Sequence, residues 1–275
     1  MIDLHTHTTA SDGTYAPSEL VSKARAAGLL HFSITDHDTT AGLAEARAAA
    51  RHEGLELIDG IEISAVSEGR DVHVLGYFID PESPVLRAFL ARQRDDRLRR
   101  VREMGTRLQA LGAAIDVAPI LADAARGRSV GRPQIAAALV AAGHVATRDD
   151  AFRQFLEFGG PAFIPRAGAP PEEVVGIIHA AGGLASLAHP GLARRDHLIP
   201  VLAAAGLDAI EVRHSDHDAA TEARYREMAR ALGLLVTGGS DFHGDSGHRE
   251  SRLGRVTLDA EDFAALRTRA TRSLS

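Results

Sequence analysis

The chain contains no cysteine, no tryptophan and only three tyrosines among its 275 residues. Without thiols, disulfides are impossible and any bound metal must take nitrogen and oxygen ligands. Aromatics at 4% leave few platforms on which a nucleic-acid strand could stack. A formal charge of −6 argues against a grip on long nucleic acid. It leaves room for a short nucleotide held by a metal and a few arginines. No apolar run approaches the length that spans a bilayer, so no membrane partner is expected. Met1 leads directly into a strand with neither a basic n-region nor an apolar h-region, so a cytoplasmic location is expected. There is no glycine fingerprint for a dinucleotide and no Ser-His-Asp set on a nucleophile elbow, so a covalent intermediate is not indicated.

What the chain does have is histidine, 14 in all. The opening Ile2-Asp3-Leu4-His5-Thr6-His7 reads as a strand ending in two imidazoles at i and i+2, on one side of the chain. Asp12 follows closely. Apolar segments then alternate with helical periodicity. Helices are expected over Pro17 to Ala27 and Ala41 to His52, and strands over His31 to Thr35, Leu55 to Ile63 and Val72 to Phe78. That alternation implies parallel strands with helices packed outside.

From about Pro81 to Gly159 the pattern is almost entirely helical. It begins with a long Arg-rich helix over Val85 to Leu111, and shorter helices follow at Pro119 to Ala125, Pro133 to Ala142 and Arg148 to Glu157. After Pro170 the alternation resumes. Strands are expected at Leu184 to Ala188, Ala209 to Val212 and Leu234 to Thr237, and a last helix at Ala260 to Arg269. The organisation expected is a first barrel part over 1–80, a helical insertion capping the site over 81–160 and a second barrel part over 161–275.

The polar residues choose one edge. His5, His7, Asp36, His37, Glu62, His189, Glu211, Asp241 and His243 all fall at or just beyond the C-terminal ends of strands. In a parallel barrel that rim is where ligands and chemistry sit. His73 is the exception, near the middle of its short strand. His31, His52, His144, His179, His197, His217 and His248 lack such placement and read as structural or surface residues.

Taken together, His5-x-His7, Asp12, Thr35-Asp36-His37-Asp38, Gly60-x-Glu62, His73, Ala188-His189-Pro190 and Gly239-Ser240-Asp241-x-His243 resemble the signature of the PHP (polymerase and histidinol phosphatase) family. The inserted block, with Val130-Gly131-Arg132-Pro133 and Gly160-Pro161-Ala162, resembles the branch of 3',5'-nucleoside bisphosphate phosphatases and 5'-end trimming exoribonucleases. The resemblance implies an α/β fold, a distorted (β/α)7 barrel that agrees with the seven strands counted. It also implies three divalent ions, manganese above zinc or iron. His5, His7, Glu62 and Asp241 would hold the first. Glu62 would bridge to a second bound by His73 and His189, and Asp12, His37 and His243 would hold the third. Water shared by the first two ions would be the nucleophile.

Imidazole with carboxylate suits such metals and argues against calcium or an all-oxygen magnesium cage. Arg99, Arg100 and Arg102 on the long helix, Arg132 at a helix start and His214 on the rim are candidate substrate contacts, because arginine forks match phosphate. The plain alternative for the helix arginines is a solvated face. Arg166 and Arg194 are weaker candidates. Asp36 and Asp38 read as orienting His37 and its loop, and Glu211 with His214 as supports or a proton donor. The expected reaction removes the 3'-phosphate from a small 3',5'-bisphosphonucleotide. The rivals are 5'-3' trimming of short RNA, histidinol-phosphate hydrolysis and a non-catalytic metal-binding module.

Overall fold

The structure is a computed structural model that describes residues 1–244 and 253–273. Seven strands form one sheet in chain order: β1 (Ile2–Asp3), β2 (His31–Ile34), β3 (Glu56–Ser67), β4 (Arg70–Tyr77), β5 (Leu184–Leu187), β6 (Ala209–His214) and β7 (Leu235–Gly239). The sheet curls until its two edges meet. Leu4 N donates to Gly238 O at 3.2 Å, His7 N donates to Phe242 O at 2.9 Å, and Thr6 bridges Phe242. The result is a nearly closed seven-stranded barrel.

Helices α1 (Pro17–Ala26) and α2 (Leu43–Glu53) cover the first strands, α7 (Pro171–Ala180) covers the middle, and α10 (Ala219–Leu232) and α11 (Ala260–Ser273) cover the last. Their ends follow local chemistry. Pro17 opens α1, and the Glu19 carboxylate accepts from Ala16 N at 2.9 Å. Asp218 caps α10, accepting from Thr221 N at 2.8 Å, and Gly233 closes it in the left-handed conformation.

One strand departs from the parallel reading. β4 pairs antiparallel with both β3 and β5. The reason is a two-residue hairpin at Glu68-Gly69, both with positive φ, as the twist of a tight hairpin requires. The reversal also explains His73. Because β4 runs backwards, its early residues stand where the C-terminal ends of the other strands stand, and His73 pairs with Ser64, two residues past Glu62.

The long helix α3 (Pro84–Ala110) joins two apolar clusters. Leu86 and Phe89 pack into the barrel cluster. Val101, Met104 and Leu108 pack into a separate one. That second cluster is shared with α4 (Ala118–Ala125), α5 (Arg132–Ala141) and the segment after α6 (Arg148–Ala151). Expected as one helix, Arg148 to Glu157 instead passes into a π-helical turn over Phe152–Leu156. Between the two apolar ends of α3, its buried face is polar: Gln93, Asp96, Arg97 and Arg100. This polar stretch lies over the mouth of the barrel. Two short helices, α8 (Pro190–Ala193) and α9 (Leu198–Ala204), follow β5. No helix among the described residues is long and apolar enough to cross a membrane.

Candidate active site

The strand ends converge on Glu62, which is buried at the barrel mouth. Its Oε2 lies 3.1 Å from His5 Nε2, 3.2 Å from His7 Nε2 and 3.3 Å from His37 Nδ1. Its Oε1 lies 2.7 Å from His73 Nδ1 and 3.0 Å from His189 Nε2. The two oxygens thus face different histidine sets. Asp241 Oδ1 adds contacts of 3.1 Å to His7 Nε2 and 3.4 Å to His5 Nε2. On the outer side, Asp12 Oδ1 lies 3.3 Å from His243 Nε2, and Asp12 Oδ2 lies 3.8 Å from His37 Nε2. Every one of the nine residues named from sequence belongs to this connected set. Three compact groups of potential metal ligands occur in it, His5-His7-Glu62-Asp241, His7-Asp12-His37-His243 and His37-Glu62-His73, and a fourth joins His5 to Glu211 and His214.

These contacts are short without all being hydrogen bonds. His7 Nε2, His37 Nδ1 and His73 Nδ1 are buried and lack a hydrogen-bond partner, although each lies near a carboxylate oxygen. Nitrogen and oxygen atoms about 3 Å apart that do not hydrogen-bond each other are what ligands roughly 2.1 Å from one cation present. The donor set therefore fits divalent transition metals.

Charge supports this. Burial opposes ionisation of Glu62, but His37, His73 and His5 hold its carboxyl well below the usual range. Asp12 and Asp241 are likewise pulled well below it against burial, by His243 and His37 and by His5 and His243 respectively. Burial also disfavours charge on His7, yet Asp241 and Glu62 push it up to about 10. At His37 burial wins, and the imidazole is pushed down to about 3. Ionised carboxylates among imidazoles make a centre where cations and protons compete.

A ring of buried groups holds these residues in place. Glu211 accepts from His5 Nδ1 at 2.8 Å and from His189 N at 2.7 Å, so it fixes both at once. His214 Nε2 reaches the second oxygen of Asp241 at 3.2 Å. Asp36 accepts from Thr8 N, Thr8 Oγ1 and Ser11 Oγ, and so fixes the loop that carries His7 and Asp12. Asp38, His189 and Asp241 all have positive φ, a cost of order 1–3 kcal/mol each that packed surroundings must support.

The arginines divide. Arg132 lines the same ≈ 470 Å³ cavity as Asp12, His37, Glu62, His73 and His189, with Nη2 3.0 Å from Asp71 Oδ2. Phe152 and Leu192 supply apolar wall. Arg100 is buried behind, donating from Nε to Ile164 O, and its Nη2 has no partner. Arg99 turns to Asp96, Glu103 and Pro165 O, and exposed Arg102 does not line the cavity. His214 sits behind Asp241 and not on the cavity wall. Arg194 lines a separate cleft with Asp196 and Asp216.

Sequence reasoning missed Arg97 and Asp71 and underrated Arg166. Arg97 donates to both Asp38 Oδ2 and Val130 O, and Arg166 sits between Asp38 and Asp71. The available signal was the polar interruption of an otherwise apolar helix stripe. Asp71 is pulled down to about 2 against burial by Arg166 and Arg132, and burial beside Arg166 pushes Arg100 down to about 9. Of the histidines set aside, His31 meets Glu56, His179 meets Asp208, His144 meets Ala114 O and His217 meets Val212 O. His248 lies outside the described residues.

The model of the PHP domain matches residues 3–126. The 3',5'-nucleoside bisphosphate phosphatase of Chromobacterium violaceum is 39% identical over 263 residues, 90% of this chain and 91% of that protein. The chain belongs to the PHP family. A 5'-3' exoribonuclease of Haemophilus influenzae is 37% identical over 94% of this chain and 95% of its own. A Bifidobacterium adolescentis protein described as a metal-dependent phosphoesterase superposes with a TM-score of 0.88 at 38% identity, covering 98% of this chain and 96% of that one. This PHP protein is accordingly a metal-dependent phosphoester hydrolase, with its potential ligand clusters gathered at the barrel mouth.

Proposed function

We propose that the protein removes the 3'-phosphate from a 3',5'-bisphosphonucleotide, leaving a 5'-mononucleotide and phosphate. The observation that carries this reading is Arg132 on the wall of the metal-ligand cavity, with further buried arginines behind it. Among the described residues, Arg132, Arg166 and Arg97 pair only with the acids Asp71 and Asp38, and Arg100 Nη2 is buried without a hydrogen-bond partner. A substrate with two phosphates needs one receptor at the histidine–carboxylate centre and another at such a cluster.

In this reading His5, His7, Glu62 and Asp241 would hold one ion, Glu62 with His73 and His189 a second, and Asp12, His37 and His243 a third. Manganese is the metal favoured. Bound ions supply Lewis acidity at the phosphoryl oxygens and acidify water at the site. The chain's own groups do the remaining work. Glu211 holds the His5 ring with Nε2 facing Glu62. His214 steadies Asp241 from behind. Arg132, braced by Asp71, receives the distal phosphate, and Phe152 and Leu192 exclude water around the nucleoside. The likeness to an exoribonuclease favours a second reading, removal of 5'-terminal nucleotides from short RNA. The site residues and cap serve both.

The test is phosphate release, in manganese, from adenosine 3',5'-bisphosphate, 5'-AMP, histidinol phosphate and a short 5'-phosphorylated RNA. The bisphosphate is expected to be turned over with the highest kcat/KM. Preference for histidinol phosphate would overturn the assignment, and preference for RNA would select the second reading.

A further inference from the structure

On the other side of Arg97 from the histidine centre lies a second cleft of ≈ 500 Å³. Arginines reach it from two separate elements: Arg87, Arg94 and Arg97 from α3, and Arg128 from the segment before α5. The acid on its wall is Asp38, and that carboxylate is already committed to Arg97, Arg166 and Ser64 N. Arg128 is partly spent on Asp123, and Arg87 makes an exposed pair with Glu82 at 3.2 Å. Arg94 pairs with no acid among the described residues. Arg94 thus borders this concave surface with no acid partner among the described residues, and Arg87 and Arg128 add partly compensated charge beside it, a combination that favours an anion there.

A second observation points the same way. The cleft floor is apolar, with Leu90 and Ala91 beside the arginines. A cationic rim over an apolar floor suits a phosphate group carried on an organic body, not a bare ion. The cleft also abuts both loops of the centre. Ser129 N donates to Ala10 O at 2.7 Å, and Thr39 Oγ1 donates to Gly127 O at 3.0 Å.

We propose that the cleft bounded by Arg87, Arg94, Arg128, Leu90 and Ser129 is a second ligand site, for a phosphomonoester of mononucleotide size. It is distinct from the cavity that Arg132 lines. The ligand is held by charge-assisted bonds from the three arginines, with its organic part on Leu90.

The experiment is calorimetric titration of the metal-loaded protein with 5'-AMP as the probe. Arg87→Glu/Arg94→Glu is compared with wild type and with Arg132→Ala. Both replaced arginines are exposed on α3, and a thermal melt checks that the double variant folds as wild type does. Wild type is expected to bind two equivalents. The double variant should lose one of them, with affinity at that site down roughly 30-fold or more. It should also hydrolyse 4-nitrophenyl phosphate with kcat/KM within about twofold of wild type. Arg132→Ala should keep the cleft component. A single equivalent in wild type that Arg132→Ala abolishes would overturn the proposal. So would a double variant that binds AMP as wild type does, or one that loses hydrolysis in parallel with binding.

Discussion

Replacing Glu62 by glutamine keeps the shape of the side chain and removes its charge. The wild-type carboxylate is within 2.7–3.3 Å of five imidazole nitrogens, three on Oε2 and two on Oε1. The amide retains one acceptor oxygen and turns the other position into a donor, so it can serve one side of the centre and not both. Loss of one partner from a buried charged arrangement costs about 3–5 kcal/mol, or roughly 10²–10⁴ in affinity for an ion. Thermal shift reads this directly. At an ion concentration about 1,000 times Kd, bound metal stabilises the fold by about 4.1 kcal/mol; a thousandfold weaker Kd leaves about 0.4 kcal/mol. At about 2 °C per kcal/mol for a chain of this size, the manganese-induced rise in Tm should fall from about 8 °C to about 1 °C. Metal content after dialysis should drop by at least one ion per chain, and phosphatase activity by at least about 10². In the metal-free protein the variant should melt lower than wild type at neutral pH, because the fold loses a carboxylate that its imidazoles hold well below the usual range. Full metal stoichiometry and an unchanged thermal shift in the variant would show that Glu62 is not the link between two ions.

Arg132→Ala should lower kcat/KM on adenosine 3',5'-bisphosphate about 10–100-fold, the worth of one charge-assisted contact of about 1.5–3 kcal/mol, while 4-nitrophenyl phosphate changes less than about threefold. Equal losses on both substrates would remove Arg132 from phosphate recognition. Gly239→Ala should unfold or strongly destabilise the barrel, since a Cβ there would meet His5 N at 2.4 Å and His5 Cβ at 2.5 Å; a normal urea midpoint would refute the closeness of β1 and β7. His179, raised above its usual pKa by its 2.7 Å contact with Asp208 against partial burial, should add stability below about pH 6.5 and lose it as pH rises through the raised value. His179→Gln should therefore cost about 0.5 kcal/mol at pH 6 and close to nothing at pH 9, a modest figure because the pair is partly exposed. Denaturant melts at the two pH values measure the difference.

The residues that gather at the barrel mouth were legible because metal-binding chemistry restricts residue type and because strand ends are marked by turns. Seven strands could be counted for the same reason: short apolar runs separated by helical periodicity leave little choice. The direction of β4 could not be read. A two-residue turn at Glu68-Gly69 was the signal, and Glu in a left-handed position is not a residue that advertises one. With β4 taken as parallel, His73 looked misplaced; reversed, it stands on the rim. The arginines were hardest. Arg99, Arg100 and Arg102 share a helix and a composition, and only rotation about the helix axis separates exposed Arg102 from buried Arg100. Arg97 lies on the buried side too, and its partner Asp38 is remote in sequence, so no local pattern foretold their pairing.

Because Ser240 N donates to the Asp3 carboxylate across 237 positions, the segments flanking His5 and Asp241 come together only when the ring shuts. Contacts this remote in sequence carry the greatest loop-closure entropy and are the slowest to be made. An ion offered during refolding should consequently find its full set of donors late. The rate of its uptake should follow the final closing step of the polypeptide, whatever the ion's own exchange chemistry.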